Sequence, residues 1–476
     1  MNPIGVVMDI NQPRIIAVSE NPVIVIAGAS GYIGKEMISS LLEKFPKAQI
    51  IALSRSEQKS KDQRITWKSC DLFSLSSLES ALPTKVDYAL YLVHSMGPTA
   101  QLDQGSFADY DLILANNFAR AIKNTGLKQL IYLGGLIPDA MKLSLHLQSR
   151  LEVEETFIEY GLPTTIFRAG LILGESGSSF QILIKLVNRL PIMVCPHWTQ
   201  TLTTPVDLFT VIASITSTLS DLTSVGKVFD LAGCAPLTYM EMMTLTAKEM
   251  GKKRFFLKVP FFTPTLSRLW VSLITNSSKD LVYPLVESLQ HPMLARQTNL
   301  YPGLKVNKTY TELLRSTSQK SKKSDPFFSF RVQRRTVRSV QRLPLPKDKD
   351  AIWIKDRYLN WLPRFLAPLV IVTQEGDMTV FSLLKKNLRM LEISLSKDQS
   401  SADIQQLYII KGLLVSNNNS GRLEFRVVLN RKFVIAAIHD FKPALPWFIY
   451  KYTQAKLHLF VMNAFSRHLE KYSSTD

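Results

Sequence analysis

The clearest signal along the chain is a change in hydrophobic period. From residue 22 to about 170, short apolar runs alternate with stretches whose apolar residues recur three and four apart. The first run, residues 23–26 (VIVI), is apolar at every position, as a parallel strand covered on both faces requires. After GASGYIG, the residues Met37, Leu41 and Leu42 continue an apolar helix face. The alternation goes on through AQIIALSRS, ITWKSCDLFS, VDYALYLVHSMG, DYDLILANNFARAIKNTG, KQLIYLGGL, a helix around 144–160, and TTIFRAGLILG. Strands and helices in this order predict an α/β fold with a doubly wound parallel sheet of the Rossmann type.

From about 351 to 476 the period becomes two. In GRLEFRVVL, Leu423, Phe425, Val427 and Leu429 share one face, and Arg422, Glu424 and Arg426 occupy the other, with residues 417–421 as a turn. Several such strands predict an antiparallel sheet. Phe448, Tyr452, Ala455, Leu459, Met462 and Leu469, at spacings of three, four and seven, predict one long terminal helix. The expected organisation is an N-terminal extension (1–21), a nucleotide-binding domain with substrate-side elements (22–300), a basic linker (301–330) and a C-terminal α+β domain (331–476).

Composition narrows the class. The 476 residues suffice for two or three domains, and no run approaches the roughly 18 apolar residues of a spanning helix. The first 22 residues lack a basic start before an apolar core, so a cytoplasmic protein is expected. Cys70, Cys195 and Cys234 are too few and too far apart for a disulfide framework or a Cys-x-x-Cys metal site. His439, His458 and His468 lack a carboxylate at metal spacing, so no metal is expected. The formal charge of +18 is concentrated: residues 305–349 hold 13 Lys and Arg against three acids, a net +10. A solvated connector is the plain reading of this segment, and peripheral contact with anionic membrane is the functional one. Nucleic acid is the weaker partner, because no base-reading motif accompanies the charge.

Candidate chemistry begins at GASGYIG. Gly28, Gly31 and Gly34, with Ser30, Tyr32 and Ile33 between them, fit a strand-to-helix turn whose backbone approaches a pyrophosphate at a helix amino end. An NAD site usually carries an acid at the tip of the next strand. Here the tip is Ser54, Arg55 and Ser56, and Arg55 is placed to pair with a 2′-phosphate. NADP(H) is therefore the expected cofactor, with NAD(H) second. Ligand atoms should gather at the strand carboxyl ends, which selects Asp71, Leu72, Leu92, Val93, His94, Gly134, Gly135, Ala169, Gly170 and Leu171.

These motifs, with IYLGGLIP, HLQSR and PTTIFRAG, resemble the extended and atypical short-chain dehydrogenases/reductases. More narrowly, residues 22 to about 300 are similar to bacterial NAD(P)H-binding proteins that join such a domain to a C-terminal domain of uncharacterised function. The resemblance implies a tyrosine four residues before a lysine, and a serine after the preceding strand. In this chain His146 stands at the tyrosine position, Arg150 at the lysine position, and Gly134 and Gly135 in the serine region. Spacing of four puts His146 and Arg150 on one helix face. Histidine suits proton transfer at neutral pH, and Arg150 could hold the nicotinamide ribose. A ribose or structural contact is the other reading of the pair.

The stretch with Trp198, and residues 255–300, supply aromatic and aliphatic surface that reads as an apolar substrate pocket or as core. Asp207 reads as a helix cap. The C-terminal outline resembles helix-grip lipid-binding domains at the level of fold. Three functions follow: an NADP(H)-dependent oxidoreductase acting on an apolar carbonyl or quinone-like substrate, a non-catalytic NADPH-binding sensor or assembly module at the membrane surface, or a peripheral membrane or nucleic-acid adaptor using the basic segment. Neither substrate nor oligomeric state is legible.

Overall fold

The computed structural model describes residues 20–95, 102–259, 269, 271–272, 274–276, 279–304, 306, 308–319, 336–383, 388–416 and 421–473. The N-terminal extension, most of the 260–270 aromatic stretch, the turn at 417–420 and the core of the basic segment lie outside them.

The first sheet uses β1 (Val23–Ala27), β2 (Gln49–Ser54), β3 (Ile65–Ser69) and β4 (Tyr88–Tyr91). The chain then passes β5 (Leu102–Gln104), which belongs to the second sheet, and returns with β6 (Gln129–Gly135), β7 (Thr164–Ala169) and β8 (Val228–Leu231). The order is β8-β7-β6-β4-β1-β2-β3, all parallel. Between the strands run α1 (Tyr32–Lys44), α2 (Leu75–Ala81), α3 (Phe107–Ile122), α4 (Leu145–Glu159), α5 (Ser178–Arg189), α6 (Leu208–Thr218), α7 (Tyr239–Glu249) and α8 (Lys279–Ser288).

The unbroken apolar runs have the expected cause. Ile24 and Ile26 of β1 face Met37 and Leu41 of α1 and Val211 and Ile215 of α6. Val25 and Ala27 face Phe118 of α3 and Val153 and Phe157 of α4 on the other side. Side chains alternate across a strand, so a strand covered on both faces needs apolar residues throughout. Asp207 caps α6, accepting from Thr210 N at 2.9 Å. Ser144 caps α4 in the same way, fixing where the His146 helix begins.

The stretch expected as a basic linker is folded where it is described. There α9 (Tyr310–Gln319) buries Leu313 against a cluster that includes Phe180, Met242 and Val282. After it come β9 (Val337–Pro344), α10 (Ala351–Phe365), and β10 (Val370–Glu375), β11 (Met378–Leu383), β12 (Arg389–Leu395), β13 (Ile404–Lys411), β14 (Arg422–Val428) and β15 (Phe433–Phe441). The eight-stranded order is β10-β11-β12-β13-β14-β15-β9-β5. Every neighbouring pair is antiparallel except β9 and β5, so a strand from the first half of the chain completes the second sheet in parallel.

The expected single terminal helix is two. They are α11 (Trp447–Tyr452) and α12 (Gln454–Ser473), and the break is at Thr453, with φ −117° and ψ −85°. The break offsets the two helix faces. Ala455, Met462 and Leu469 point into the core, whereas Phe448 and Tyr452 are 73% and 52% exposed and Leu459 is 36% exposed. One face of the second sheet packs Phe425 against Tyr358 of α10 and Phe465 of α12.

The other face packs on the first domain, joining Val340, Ile435 and Ala437 to Phe73, Tyr110 and Leu114. Two of the charged alternate positions of β14, Glu424 and Arg426, are therefore buried, and Arg422 is half-buried. Arg426 donates to Asn116 Oδ1 at 2.8 Å and Asn117 Oδ1 at 2.7 Å on α3. Arg342 of β9 grips Glu152 of α4 with two bonds of 2.8 Å and Asp109 of α3 at 2.9 Å. Arg338, 1% exposed, joins Asp71 to Asp440 and lies 4.6 Å from the Phe73 ring centroid.

Replacing Arg338 with methionine strands two carboxylates at this junction. The expected loss is on the order of 3 kcal/mol, seen in thermal unfolding as an early transition of the second sheet. A change below about 1 kcal/mol would mean that the apolar contacts alone fasten the two sheets.

Candidate functional site

The loop after β1 has the shape its glycines imply. Gly28 has φ +87°, and a Cβ there would lie 2.9 Å from Leu92 O of the neighbouring strand end. A Cβ on Gly34 would lie 2.4 Å from Gly28 O, so the first turn of α1 sits directly against the loop. Helix α1 begins at Gly31 with no side-chain cap and no acid in its first turn. Its leading N–H groups and positive dipole end are thus left to a ligand, which is what a pyrophosphate needs. Tyr32 packs against Gly174, beyond β7, so the loop also touches the far wall of the cleft.

At the adenosine end, Arg55 stands exposed just past β2, within electrostatic reach of Asp71, Arg338 and Asp103. Asp71 accepts from Phe73 N at 3.1 Å and is bound to Arg338. Its negative charge is thereby balanced by the second domain, which removes a repulsion that a 2′-phosphate would otherwise meet.

The opposite end of the cleft is built around Asp111 of α3, a residue the sequence reading did not select. Its Oδ1 accepts from Ser95 N at 2.8 Å and Ser95 Oγ at 2.9 Å. Its Oδ2 accepts from Ser149 Oγ at 2.8 Å, from His94 Nδ1 at 3.1 Å and from Arg150 Nη2. Burial works against the charge, but Arg150 and His94 outweigh it and hold the carboxyl far below the usual range. Arg150, 5% exposed, is fixed in this buried pair. His94 and Arg150 thus come together, through a carboxylate rather than directly.

His146 lies beside this hub. Its ring centroid is 5.1 Å from that of His94, and its Nδ1 is 3.0 Å from Ser288 Oγ at the end of α8. Ser288 Oγ lies 3.0 Å from Pro284 O, 2.9 Å from Ser144 Oγ and 3.0 Å from His146 Nδ1, so these groups share its single proton. In the tautomer in which Nδ1 donates to Ser288 Oγ, the remaining nitrogen, Nε2, carries the lone pair. Burial, followed by His94 and Arg150, pushes His146 well below the usual imidazole range, so the ring is neutral at pH 7.

Gly134, in the serine region, also has a steric reason. A Cβ on Gly134 would lie 2.9 Å from the Tyr132 ring and 3.3 Å from Glu154 Oε1, and one on Gly135 would lie 3.5 Å from Arg150 Cγ. Glu154 in turn binds Arg168 at 3.0 Å through Nε. A larger residue at Gly134 would press on the Tyr132 ring and on Glu154, whereas at Gly135 a Cβ makes only ordinary contact.

Beyond Leu171 opens an apolar cavity of about 90 Å³. Trp198, Tyr239 and Met243 form one side, and Val286 and Leu289 form the other. Ala169 and Gly170 sit at the β7 end that leads to it; a Cβ on Gly170 would meet Thr204 O at 2.9 Å. Helix α8 therefore presents Ser288 to His146 and Leu285 and Val286 to the cavity. Among the described residues, no group of His, Cys, Asp and Glu could hold a metal ion, and all three cysteines are free and buried.

Residues 24–139 match the NAD dependent epimerase/dehydratase family. The matched stretch includes the glycine loop, the Arg55 strand, β5 and Asp111, and it stops short of His146 and of the other seven strands of the second sheet. The resemblance to NAD(P)-binding dehydrogenases and reductases is thus supported over residues 24–139. Among curated proteins, the auxiliary protein GraX of Staphylococcus aureus is 33% identical over 116 residues, 24% of this chain and 36% of that protein. The chain thus matches only about a third of that relative's length. Quinone oxidoreductase 2 of Escherichia coli is 25% identical over 233 residues, 48% of this chain and 75% of that protein. The NADPH-dependent quinone oxidoreductase of E. coli, solved with NADPH, covers 62% of this chain and 99% of its own at 19% identity, with a TM-score of 0.49. The triphenylmethane reductase of Citrobacter sp., solved with NADP(H), does likewise at 17% identity and a TM-score of 0.49.

Proposed function

We propose that the protein is an NADP(H)-dependent oxidoreductase for an apolar carbonyl or quinone-like substrate. What supports this reading is a neutral histidine beside Ser288, on the helix whose Leu285 and Val286 line an apolar cavity, together with a glycine loop shaped for a diphosphate after β1. The loop from Gly28 to Gly34 would hold the diphosphate and Arg55 the 2′-phosphate, while Leu92, Val93 and His94 wall the nicotinamide half. The cofactor, when bound, supplies the hydride. Trp198, Tyr239 and Met243 exclude water and receive the apolar body of the substrate. His146 Nε2 exchanges the proton at the substrate oxygen, taking it in alcohol or hydroquinone oxidation and returning it in reduction. Ser288 and the Asp111 hub hold the ring that does so. Arg150 acts through Asp111 as a positioning residue.

The titration of His146 gives a sign. Reduction needs the protonated ring, whose fraction rises about tenfold for each pH unit lowered until its depressed pKa is reached. The rate of quinone reduction should therefore keep rising as pH falls through and below the ordinary imidazole range. A plateau beginning near pH 6.5, the unshifted histidine value, would show that His146 is not held as described.

A second reading, an NADPH sensor without turnover, is favoured by the Asp71–Arg338–Asp440 link, which ties the adenosine end of the cleft to the second sheet. NADPH oxidation over a panel of quinones and aldehydes separates the two. Turnover with an apolar quinone supports the enzyme, and tight NADPH binding with no turnover across the panel supports the sensor. Peripheral contact with anionic lipid belongs to the first reading, since quinone-like substrates partition into bilayers.

A further inference from the structure

We infer that the elbow formed by α11, the start of α12 and the end of α10 is the surface that docks on an anionic lipid bilayer. This rests on the reading that the protein meets such a membrane. It assigns that contact to a folded face instead of the basic stretch at 305–349.

The face is apolar and exposed. Phe448 is 73% accessible, Ile449 46%, Tyr452 52%, Leu457 54%, Phe460 54% and Phe365 37%. Two aromatic contacts lie within this set. Phe448 meets Tyr452 with ring centroids 5.2 Å apart, and Lys456 lies over the Tyr452 ring at 5.5 Å. One turn further along α12, Phe460 meets Phe365 of α10 at 5.8 Å. Isolated exposed apolar residues are ordinary, but large aromatics paired in this way mark a surface that meets something.

Charge decides what it meets. Across residues 360–374 and 442–460, the two stretches that build the face, there are four Lys and Arg and no Asp or Glu, and the nearest acids in sequence are Asp356, Glu375, Asp440 and Glu470. Lys451 and Lys456 flank the aromatic centre, both over Tyr452. The exposed Arg364 adjoins Phe365, and the exposed Arg467 lies two turns beyond Phe460 on α12. Aromatic and aliphatic residues ringed by cations, with no acid in either stretch, match the chemistry of an acyl boundary beneath anionic headgroups. A protein-binding face of the same area would need no such one-sided charge. The helices are too short and polar to insert further, and among the described residues no helix is long and apolar enough to cross a membrane.

The test is co-sedimentation of the full chain with vesicles of phosphatidylglycerol and phosphatidylcholine, and with phosphatidylcholine alone. The wild-type chain should bind the anionic vesicles, weakly the neutral ones, and less as salt rises. Phe448→Ser with Tyr452→Ser, and separately Lys451→Glu with Lys456→Glu, should each lower the partition at least about tenfold, while thermal unfolding is unchanged because all four side chains are exposed. Lys320→Glu, Lys322→Glu and Lys323→Glu together should leave most of the binding in place. Equal binding by the elbow variants and the wild-type chain would overturn the assignment and leave the membrane reading standing. No binding by the wild-type chain would overturn both. A dimer in light scattering that dissociates in the Phe448→Ser, Tyr452→Ser variant, without vesicle binding, would assign the face to a second copy of the chain instead.

Discussion

Replacing His146 with phenylalanine is expected to slow NADPH-linked reduction about 10²- to 10⁴-fold, the span usual for a lost acid–base group. NADPH affinity should stay within about threefold of the wild-type value, because the cradle for the diphosphate lies at the opposite end of the cleft. The ring is 3.0 Å from Ser288 Oγ and packs 5.1 Å from His94, so phenylalanine fills the same space without the nitrogen. The loss should fall on kcat and kcat/KM together, since the proton transfer occurs only on the way to the transition state. Equal turnover by the variant would remove His146 from the chemistry. A parallel collapse of NADPH affinity would make it a cofactor contact, the other role that its spacing from Arg150 allows.

Removing Asp111 should have the largest effect on stability. Five donors converge on this carboxylate, which is 2% exposed. Asp111→Ala leaves Arg150 charged and buried with Nε already lacking a partner, and it releases His94 and Ser95. A buried pair broken on one side typically loses about 3–5 kcal/mol, and the same is expected here. The double variant Asp111→Ala, Arg150→Met should recover part of that loss, because it removes both charges at once. Chemical denaturation of the two variants checks this. A double variant less stable than the sum of the two singles would mean that the pair is not what holds α3 to α4.

The first domain was readable because its signals are local. Val25 and Ile26, the three glycines and the capping residue Asp207 each specify their own few residues of backbone, and the sheet follows from their order. The Asp111 hub was less legible. Its members come from the β4 end, α3 and α4, and nothing in DYDLILANN distinguishes the inward acid from a solvated one. A trace was nonetheless present: an acid within a stretch apolar on nearly all sides is either paired or misplaced. Ser288 had no such trace, since its role depends on α8 crossing the start of α4. In the second domain the period of two showed which residues share a face, but not what covers them. Arg426 and Glu424 have the pattern of a water-facing row, yet they lie against α3, because two domains in contact bury polar faces that a lone sheet would leave wet. The break at Thr453 carried no glycine or proline to announce it.

The account depends most on a nucleotide lying against the residues from Gly28 to Gly34 with its phosphorylated ribose at Arg55. Titration calorimetry with NADPH and NADH tests this directly. NADPH should bind at least about tenfold more tightly than NADH, a difference of about 1.4 kcal/mol, and Arg55→Ser should narrow that gap. Folded protein that gives no binding heat with either nucleotide would contradict it.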